Sequence, residues 1–308
     1  MKNNAAALCM VVALSGTCLV QQTGSNPALV SLVESERAFA GASLKIGARS
    51  SFMMYFADDA MVFRPHPVMY KEAMKNVPMP ENPLETTLAW EPIWADVSAS
   101  GDLGYTTGPS VWTDHSPAKR PTYYGFYFSF WKKKPSGEWR VVFDVGTELP
   151  GPFEGSRAFR SPLVNERKGE KKILSAEQAR LELQKAEIEF CSAVQSKGFL
   201  KVTDIFLDEQ VRVYRQKVQP IIGIDSARAY FSRNPYLSSW ESTSCDAASS
   251  GDLGYTYGSY VVKRPSGQAG EDEKGCYLHG WKRDAENRWK LVAEITSPLP
   301  PDTPKTKQ

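Results

Sequence analysis

The sequence has little excess charge and no long apolar run apart from one near its start. Its 308 residues carry a net charge of +2, which excludes the strong positive field that attracts nucleic acid or anionic membranes. The apolar stretch at residues 5–20 is too short and too poorly flanked for a stable membrane span. We therefore expect no nucleic-acid partner and no membrane span.

Cysteine is scarce and lacks the spacing of a metal site. Cys9 and Cys18 lie near the start, and Cys191, Cys245 and Cys276 lie in the second half of the chain. No CxxC pair or matching histidine spacing accompanies them, so we predict no metal and no cofactor. The three later cysteines are interpreted as small buried residues, with one disulfide and a free thiol as the alternative.

The N-terminus predicts an export signal over residues 1–24. Lys2 precedes the apolar stretch, and small and polar residues follow it. We expect a periplasmic or secreted protein. Lipid anchoring at Cys18 is the alternative, although the Ser-Gly-Thr before this residue fits a bacterial lipobox poorly.

A long internal repeat divides the remaining chain into two copies. The string SGDLGYTTG at 100–108 returns as SGDLGYTYG at 250–258, and Trp90 and Trp131 return as Trp240 and Trp281 at the same offset of 150. The repeat is too long for a solenoid unit and predicts two whole domains, at 25–150 and 175–300. A Gly-, Pro- and charge-rich linker at 151–174 joins them, and we expect a disordered tail at 301–308.

Each copy predicts helices followed by strands. Apolar residues recur at helical spacing after Asn26-Pro27, and Ser175 with Gln178 opens a helix in the second copy. Shorter helical segments follow, and strands in the first copy are predicted at 90–99, 103–113, 123–132 and 139–147. This order predicts an α+β domain with an antiparallel meander.

The doubled nonamer is predicted to be a folding motif rather than a catalytic one. Its Ser-Gly-Asp lies between two strands, where glycine takes the positive φ of a tight hairpin. Gly104 and Gly108 fall inside the next strand, where glycine marks a bulge or a close backbone approach. The GxxGxxxG spacing, followed by a strand, is not typical of a phosphate-binding loop.

The first copy contains the strings FADDAMVF, WEPIWADVSASGDLGYTTG and FSFWKKKPSGEWRVVFDVGTELP, and the second contains IFLDEQVRVY and GWKRDAENRWKLVAEITSPLP. Together these strings resemble SnoaL-like and ketosteroid-isomerase-like domains. The resemblance covers about 250 residues. It implies the cone-shaped fold of nuclear transport factor two, in which a curved antiparallel sheet wraps against helices around a pocket. Such domains commonly pair through their sheets, so we expect an internal pseudo-dimer.

The residues that the resemblance implies for isomerisation are absent from both copies. The general-base aspartate is replaced by Arg64 and by Arg215, and a guanidinium does not abstract protons at neutral pH. The tyrosine of the first helix is missing, since that region carries Phe39 and Phe190. We therefore predict against steroid-type isomerisation.

Glu36 and Glu187 lie on the apolar face of the first helix of each copy. Burial raises the pKa of a carboxyl group unless a cation pairs with it. We hypothesise the pairs Glu36–Arg64 and Glu187–Arg215, with a structural, ligand-binding or catalytic role. The alternative for each arginine is an exposed pair with an acid such as Asp58 or Asp208.

Asp144 and Glu294 occupy equivalent places in the last strand, on the face of Arg140 and Lys290. They are interpreted as pocket acids or as exposed partners of these bases. His66 occurs only in the first copy, beside two prolines, and is interpreted as a rim or turn residue rather than a base.

Aromatic residues alternate along 123–132. Phe126, Phe128 and Phe130 share one face, which changes in the second copy, while Tyr127 and Trp131 share the face that persists. We interpret the persistent face as core. The face that changes is either a pocket or the contact between the domains.

These patterns lead to three hypotheses about function. The first is a protein that binds a small apolar or weakly anionic molecule, through residues drawn from Glu36, Arg64, Trp112, Tyr124, Phe126, Phe128, Glu187, Arg215 and Glu294. The second is a lyase, isomerase or hydrolase that uses Glu36, Arg64, His66 and Asp144. The third is a structural module without a ligand. Binding is preferred because both copies lack the isomerase residues.

Overall fold

The computed structural model describes residues 26–162, 175–234, 237–263 and 272–300. The predicted export signal, the tail and the second half of the predicted linker lie outside these residues. The described chain forms two α+β domains, each with helices packed against one sheet.

The first domain contains three helices and seven strands within the described residues. In chain order they are α1 (Pro27–Ile46), α2 (Ala48–Tyr55), β1 (Phe56–Phe63), β2 (Pro67–Met69), α3 (Tyr70–Met74), β3 (Thr86–Trp90), β4 (Trp94–Val97), β5 (Leu103–Asp114), β6 (Tyr123–Lys133) and β7 (Trp139–Glu148). Helix α1 begins as predicted, because the Ala28 amide donates a hydrogen bond to the Asn26 side chain at 3.0 Å.

The second domain repeats this order. Its elements are α4 (Ala176–Lys197), a 3-10 turn (Phe199–Val202), α5 (Thr203–Phe206), β8 (Leu207–Tyr214), β9 (Ile221–Ile222), α6 (Ile224–Arg233), β10 (Leu237–Ala247), β11 (Leu253–Lys263), β12 (Glu273–Arg283) and β13 (Trp289–Pro298). The predicted start of α4 is a capping box, in which the Gln178 amide donates to the Ser175 hydroxyl at 3.2 Å and the Gln178 side chain accepts from the Ser175 amide.

Both sheets contain the predicted antiparallel meander and one parallel pair that was not predicted. The strand orders are β2-β1-β7-β6-β5-β3, with β4 paired to β5, and β10-β11-β12-β13-β8-β9. Strand β1 runs parallel to β7, and β8 runs parallel to β13. The acidic pairs in FADDAMVF and FLDEQVRV interrupt the apolar alternation of a half-buried strand, which explains why β1 and β8 were missed.

The prediction of one continuous strand over residues 90–99 is wrong. In the first domain this segment is divided into β3 and β4 around Pro92, which has no amide hydrogen to donate to the ladder. In the second domain Ser242 stands at this place, and β10 continues through it with only a register shift.

Two of the apolar cores lie between helices and sheet. In the first domain this core contains Leu32, Phe39 and Trp131, and in the second domain their equivalents Leu183, Phe190 and Trp281 are all buried. The tryptophans of the repeat therefore support the helices in both copies.

A third apolar core joins the two sheets. Phe126 and Phe130 of β6 contact Tyr214 and Tyr255 of the second domain, with ring centroids 5.5 and 4.7 Å apart. Phe128 is buried in the same core. The β6 face that changes between the copies is thus the contact between the domains, which was one of the two alternatives.

The salt bridges between the domains occur in equivalent positions. Lys132 Nζ lies 2.7 Å from Asp246 Oδ2, and Lys282 binds Asp96. Each residue of the second bridge is the repeat equivalent of a residue in the first. Such reciprocity is typical of a two-fold interface.

The doubled nonamers contact each other across the same interface. The Ser249 amide donates to Asp102 Oδ2 at 3.0 Å, and the Ala99 amide donates to Asp252 Oδ2 at 3.1 Å. The motif therefore holds the two domains together in addition to forming a hairpin.

Glycine is required at two places in the nonamer. Gly101 has a φ of 70° in the hairpin, as predicted. A Cβ atom on Gly108 would lie 1.9 Å from the Glu91 carbonyl oxygen, and one on Gly258 would lie 1.9 Å from the Glu241 carbonyl oxygen. The predicted close approach of the backbone is confirmed.

The first part of the predicted linker packs on the first domain. The Arg160 amide donates to the Ile93 carbonyl oxygen at 2.9 Å, and the Phe153 ring lies 5.1 Å from Phe126. Among the described helices, none is long and apolar enough to cross a bilayer.

Candidate functional site

A cavity of about 290 Å³ lies in the first domain between the helices and the sheet. Aromatic rings form most of its wall, from Phe39, Phe52, Phe63, Tyr70 and Trp90. Ser297 of the second domain also lines it. Its volume is at the lower end of the range of about 300–1,000 Å³ that small-molecule sites occupy.

A register shift in β7 brings Asp144 to the cavity. Between Val141 and Phe143 the pairing with β6 skips one residue, so the side chains beyond this bulge change faces. The prediction that Asp144 shares a face with Arg140 is therefore wrong. Glu294 follows an equivalent bulge in β13.

Asp144 is the acid of the cavity wall. It lies opposite Ser129 in the sheet, and the Ser129 hydroxyl donates to Asp144 Oδ2 at 2.7 Å. Burial raises the pKa of Asp144 to about 6, although the Ser129 hydrogen bond and the charge of Arg64 oppose this rise. Asp144 is therefore a carboxyl group that exchanges its proton close to neutral pH.

Arg64 also lines the cavity, at its exposed edge. Within the described residues its guanidinium forms no hydrogen bond or salt bridge, and Asp58 instead pairs with Lys71 at 2.6 Å. His66 is exposed in the bend after β1, as its interpretation as a turn residue predicted, and it does not line the cavity.

Tyr127 is a polar group of the wall that the sequence analysis assigned to the core. Its hydroxyl is buried and finds no hydrogen-bond partner among the described residues. Burial, followed by the nearby charge of Glu36, raises the pKa of Tyr127 far above its usual value. The hydroxyl therefore stays protonated.

Glu36 lies behind this wall, and the predicted Glu36–Arg64 pair is wrong. The Glu36 carboxylate accepts hydrogen bonds from Trp90 Nε1 and Thr106 Oγ1 at 2.5 Å each, and from Trp131 Nε1 at 2.9 Å. Burial raises the pKa of Glu36 to about 7, although these hydrogen bonds favour its charged form. Neutral donors rather than a cation hold this carboxyl group.

Glu187 occupies the equivalent position with a different partner. It accepts from Thr256 Oγ1 at 2.6 Å and Trp281 Nε1 at 2.9 Å, and its third contact is His279 Nδ1 at 3.0 Å. Burial alone would raise the pKa of Glu187, but the charge of His279 and these hydrogen bonds lower it to about 2. The predicted Glu187–Arg215 pair is wrong.

Larger side chains occupy the equivalent positions in the second domain. His279 stands where the first domain has Ser129, and Tyr260 stands where it has Ser110. Both rings pack on Trp240, with centroids 4.9 and 5.5 Å from its ring. His279 and Tyr260 are buried, and so is the Arg215–Glu294 salt bridge.

The predicted aromatic ligand residues lie outside the cavity. Phe126 and Phe128 belong to the core between the sheets, and Tyr124 packs against it. Trp112 lies under the Arg120 guanidinium, 5.1 Å from its carbon. Alternation along β6 turns Tyr124, Phe126 and Phe128 toward the other sheet, away from the helices.

Tyr127, Ser129 and His279 were not identified from the sequence. The replacement of Ser129 by His279 is visible in the repeat at an offset of 150 and was the available signal. The three later cysteines are free, and only Cys276 is fully buried. Within the described ranges no cluster of metal-ligating side chains occurs.

No protein-family model and no curated protein matches this chain. Among solved structures it is similar to an NTF2-like protein of unknown function from Pseudomonas putida, with 15% identity over 44% of this chain and 95% of that chain, at a TM-score of 0.34. It is also similar to a ketosteroid isomerase-like protein from Erwinia carotovora, with 13% identity over 41% and 98% of the two chains, at a TM-score of 0.34.

A third similar structure is an NTF2-like superfamily protein from Salmonella enterica, with 7% identity over 44% of this chain and all of that chain, at a TM-score of 0.35. Each of these three matches spans less than half of this chain. Each domain has an α+β fold in which helices pack against one mostly antiparallel sheet. The fold does not assign a chemistry.

Proposed function

We propose that this chain is an exported protein whose first domain binds a small molecule, while its second domain is a structural partner. The observation that carries the proposal is the contrast between the two copies. The first has a cavity of about 290 Å³ with aromatic walls, and the second has the larger, buried side chains of His279 and Tyr260 at the positions of Ser129 and Ser110.

The chemistry of the wall favours a ligand with an apolar body and one polar end. Aromatic rings supply apolar contact, and Tyr127 and Ser129 lie together with Asp144 in the wall.

The second domain completes the proposed unit as the other half of an internal pseudo-dimer. The reciprocal salt bridges of Lys132 and Lys282 support this arrangement. Ser297 lines the cavity, and Cys276 Sγ lies 3.6 Å from the Pro65 carbonyl oxygen beside Arg64. We propose domain limits of 25–150 and 175–300, and the apolar N-terminal stretch supports export.

The proposal is tested by calorimetric titration with 2-naphthol, a bicyclic aromatic compound with one hydroxyl group. We expect binding to the wild type and loss of binding in the double variant Ser110→Tyr with Ser129→His, which copies the filled second domain. Ser129→Ala keeps the cavity open and is the control. Equal binding by the wild type and the filled variant would contradict the proposal.

A second candidate function is proton transfer by Asp144. Its pKa of about 6 and the neighbouring hydroxyl of Tyr127 would suit a general base facing an oxyanion donor. The test uses 2-tetralone in D2O and follows deuterium uptake beside the carbonyl group by mass spectrometry. An enzyme would accelerate this uptake, and Asp144→Asn would slow it by about 100-fold or more. No acceleration by the wild type would leave binding as the function.

A further inference from the structure

The sheet register makes Arg64 and Arg215 structural equivalents. Val62 lies opposite Asp144 in the first sheet, and Val213 lies opposite Glu294 in the second. Each arginine follows two residues after its valine. Both domains therefore place an arginine two residues beyond the valine that pairs with the acid of the last strand.

In the second domain this arginine forms a salt bridge with Glu294 of the same domain. Arg215 Nη2 donates to Glu294 Oε1 at 2.9 Å, and Nη1 donates to Glu294 Oε2. Glu294 is fully buried and Arg215 nearly so. A guanidinium and a carboxylate joined by two parallel hydrogen bonds form the strongest class of ion pair in proteins.

In the first domain the same pair is not formed. The acid is an aspartate, shorter by one methylene group, and its carboxyl group accepts from Ser129 at 2.7 Å. Among the described residues no carboxylate contacts the Arg64 guanidinium, which lines the cavity. The first domain thus has the cation of the pair and lacks a carboxylate that reaches it.

We propose that Arg64 binds the carboxylate of a ligand, and that the cavity takes small aromatic or alicyclic monocarboxylic acids. The ligand carboxylate takes the position that the Glu294 side chain takes in the second domain. Its ring lies among Phe52, Phe63 and Trp90. This inference rests on the proposed function and adds the chemical class of the ligand.

The size of the cavity limits the apolar part of the ligand. At about 290 Å³ the cavity suits one or two fused rings rather than a long acyl chain. The cation at its exposed edge orients the ligand with the ring inward and the carboxylate toward Arg64. The filled second domain does not bind the same acid, because its own Glu294 occupies the arginine.

The test compares 2-naphthoate with its neutral isostere 2-naphthamide by calorimetric titration at pH 6. We expect the wild type to bind the carboxylate at least tenfold more tightly than the amide. Arg64→Gln removes this preference and leaves amide binding within about twofold. Asp144→Glu should create a pair with Arg64 like the Arg215–Glu294 pair of the second domain. It should therefore weaken carboxylate binding at least tenfold. Arg157→Gln, which changes an exposed arginine paired with Glu91, is the control and leaves the preference intact.

The outcomes separate this inference from the proposed function. Equal binding of the two compounds, or a preference that persists in Arg64→Gln, overturns the role of Arg64 while the cavity remains a binding site. If the wild type binds none of the three compounds (the carboxylate, the amide and 2-naphthol), the proposed function itself is overturned. Circular dichroism of each variant checks that the fold is retained.

Discussion

The hydroxyl oxygens of Ser100 and Ser250 lie 2.9 Å apart, and these residues are repeat equivalents separated by 150 positions. A residue that contacts its own equivalent lies close to the axis that relates two copies. This pair therefore marks the centre of the proposed pseudo-dimer. The nonamers at this interface are nearly identical in the two domains, whereas the residues at the cavity positions differ.

The two salt bridges between the domains are expected to differ in strength. Asp96 is buried and its partner Lys282 is mostly covered, whereas Lys132 and Asp246 are more exposed. Lys282→Ala leaves a buried carboxylate unpaired and should lower the free energy of unfolding by about 1–3 kcal/mol. Lys132→Ala should cost less than about 1 kcal/mol. Urea denaturation measures both, and equal small losses would show that burial of Asp96 has no energetic effect.

Gly108→Ala should destabilise the first domain strongly. The new methyl group would collide with the Glu91 carbonyl oxygen, so we expect a loss of about 2–3 kcal/mol in the free energy of unfolding. Gly41→Ala is the control, because a Cβ at this helical position meets nothing within 4 Å. It should stabilise α1 by up to about 1 kcal/mol. Similar effects of the two changes in thermal denaturation would contradict the close approach.

Glu36→Gln should change how stability depends on pH. The pKa of Glu36 is raised to about 7, so the folded state binds more protons than the unfolded state between about pH 4.5 and pH 7. The stability of the wild type should therefore fall as pH rises through this window, by on the order of 3 kcal/mol from this group. Glu36→Gln removes this fall, and the stability of the variant relative to the wild type should rise between pH 5 and pH 8.

Glu187→Gln is the matched control with the opposite sign. The pKa of Glu187 is lowered to about 2, so its contribution to stability is complete above about pH 4.5 and is lost only as pH falls toward 2. This variant should be destabilised at both pH 5 and pH 8 by a similar amount. Matching pH profiles of the two variants, measured by denaturant titration, would refute the assignment of different charge states.

Binding of 2-naphthoate should weaken as pH rises from 5 to 8. Arg64, Tyr70, Tyr127 and Glu36 are the titratable or charged groups near Asp144, whose pKa is raised to about 6. Above this pH the ionised Asp144 repels a bound carboxylate, so we expect an affinity about tenfold lower at pH 8 than at pH 5. Asp144→Asn should flatten most of this dependence. A profile unchanged by Asp144→Asn would exclude Asp144 as the titrating group.

Much of the architecture could be predicted from the repeat. A tryptophan or glycine that occurs at the same place in both copies indicates a structural requirement that both domains share. The helix caps at Asn26 and Ser175 and the hairpin at Gly101 depend on neighbouring residues only, so they could be predicted from the sequence. The parallel strands β1 and β8 were not, since their pairing joins segments far apart in the chain.

The site was harder to predict because its geometry depends on two bulges. One inserted residue before Asp144 moves this side chain from the face that packs against the other sheet to the cavity, and nothing in the local sequence marks the insertion. The expected partner of Glu36 was a cation, whereas tryptophan and threonine donors satisfy it. Sequence comparison of the copies contained the most informative signal, which was the change from Ser129 to His279.

Native mass spectrometry of the protein purified under gentle conditions tests the central claim most directly. If the first cavity is a ligand site and the second is filled, the wild type should retain a single small molecule per chain, released on denaturation. The variant with Ser110→Tyr and Ser129→His should retain none. Two molecules per chain, or one that persists in the filled variant, would contradict the account.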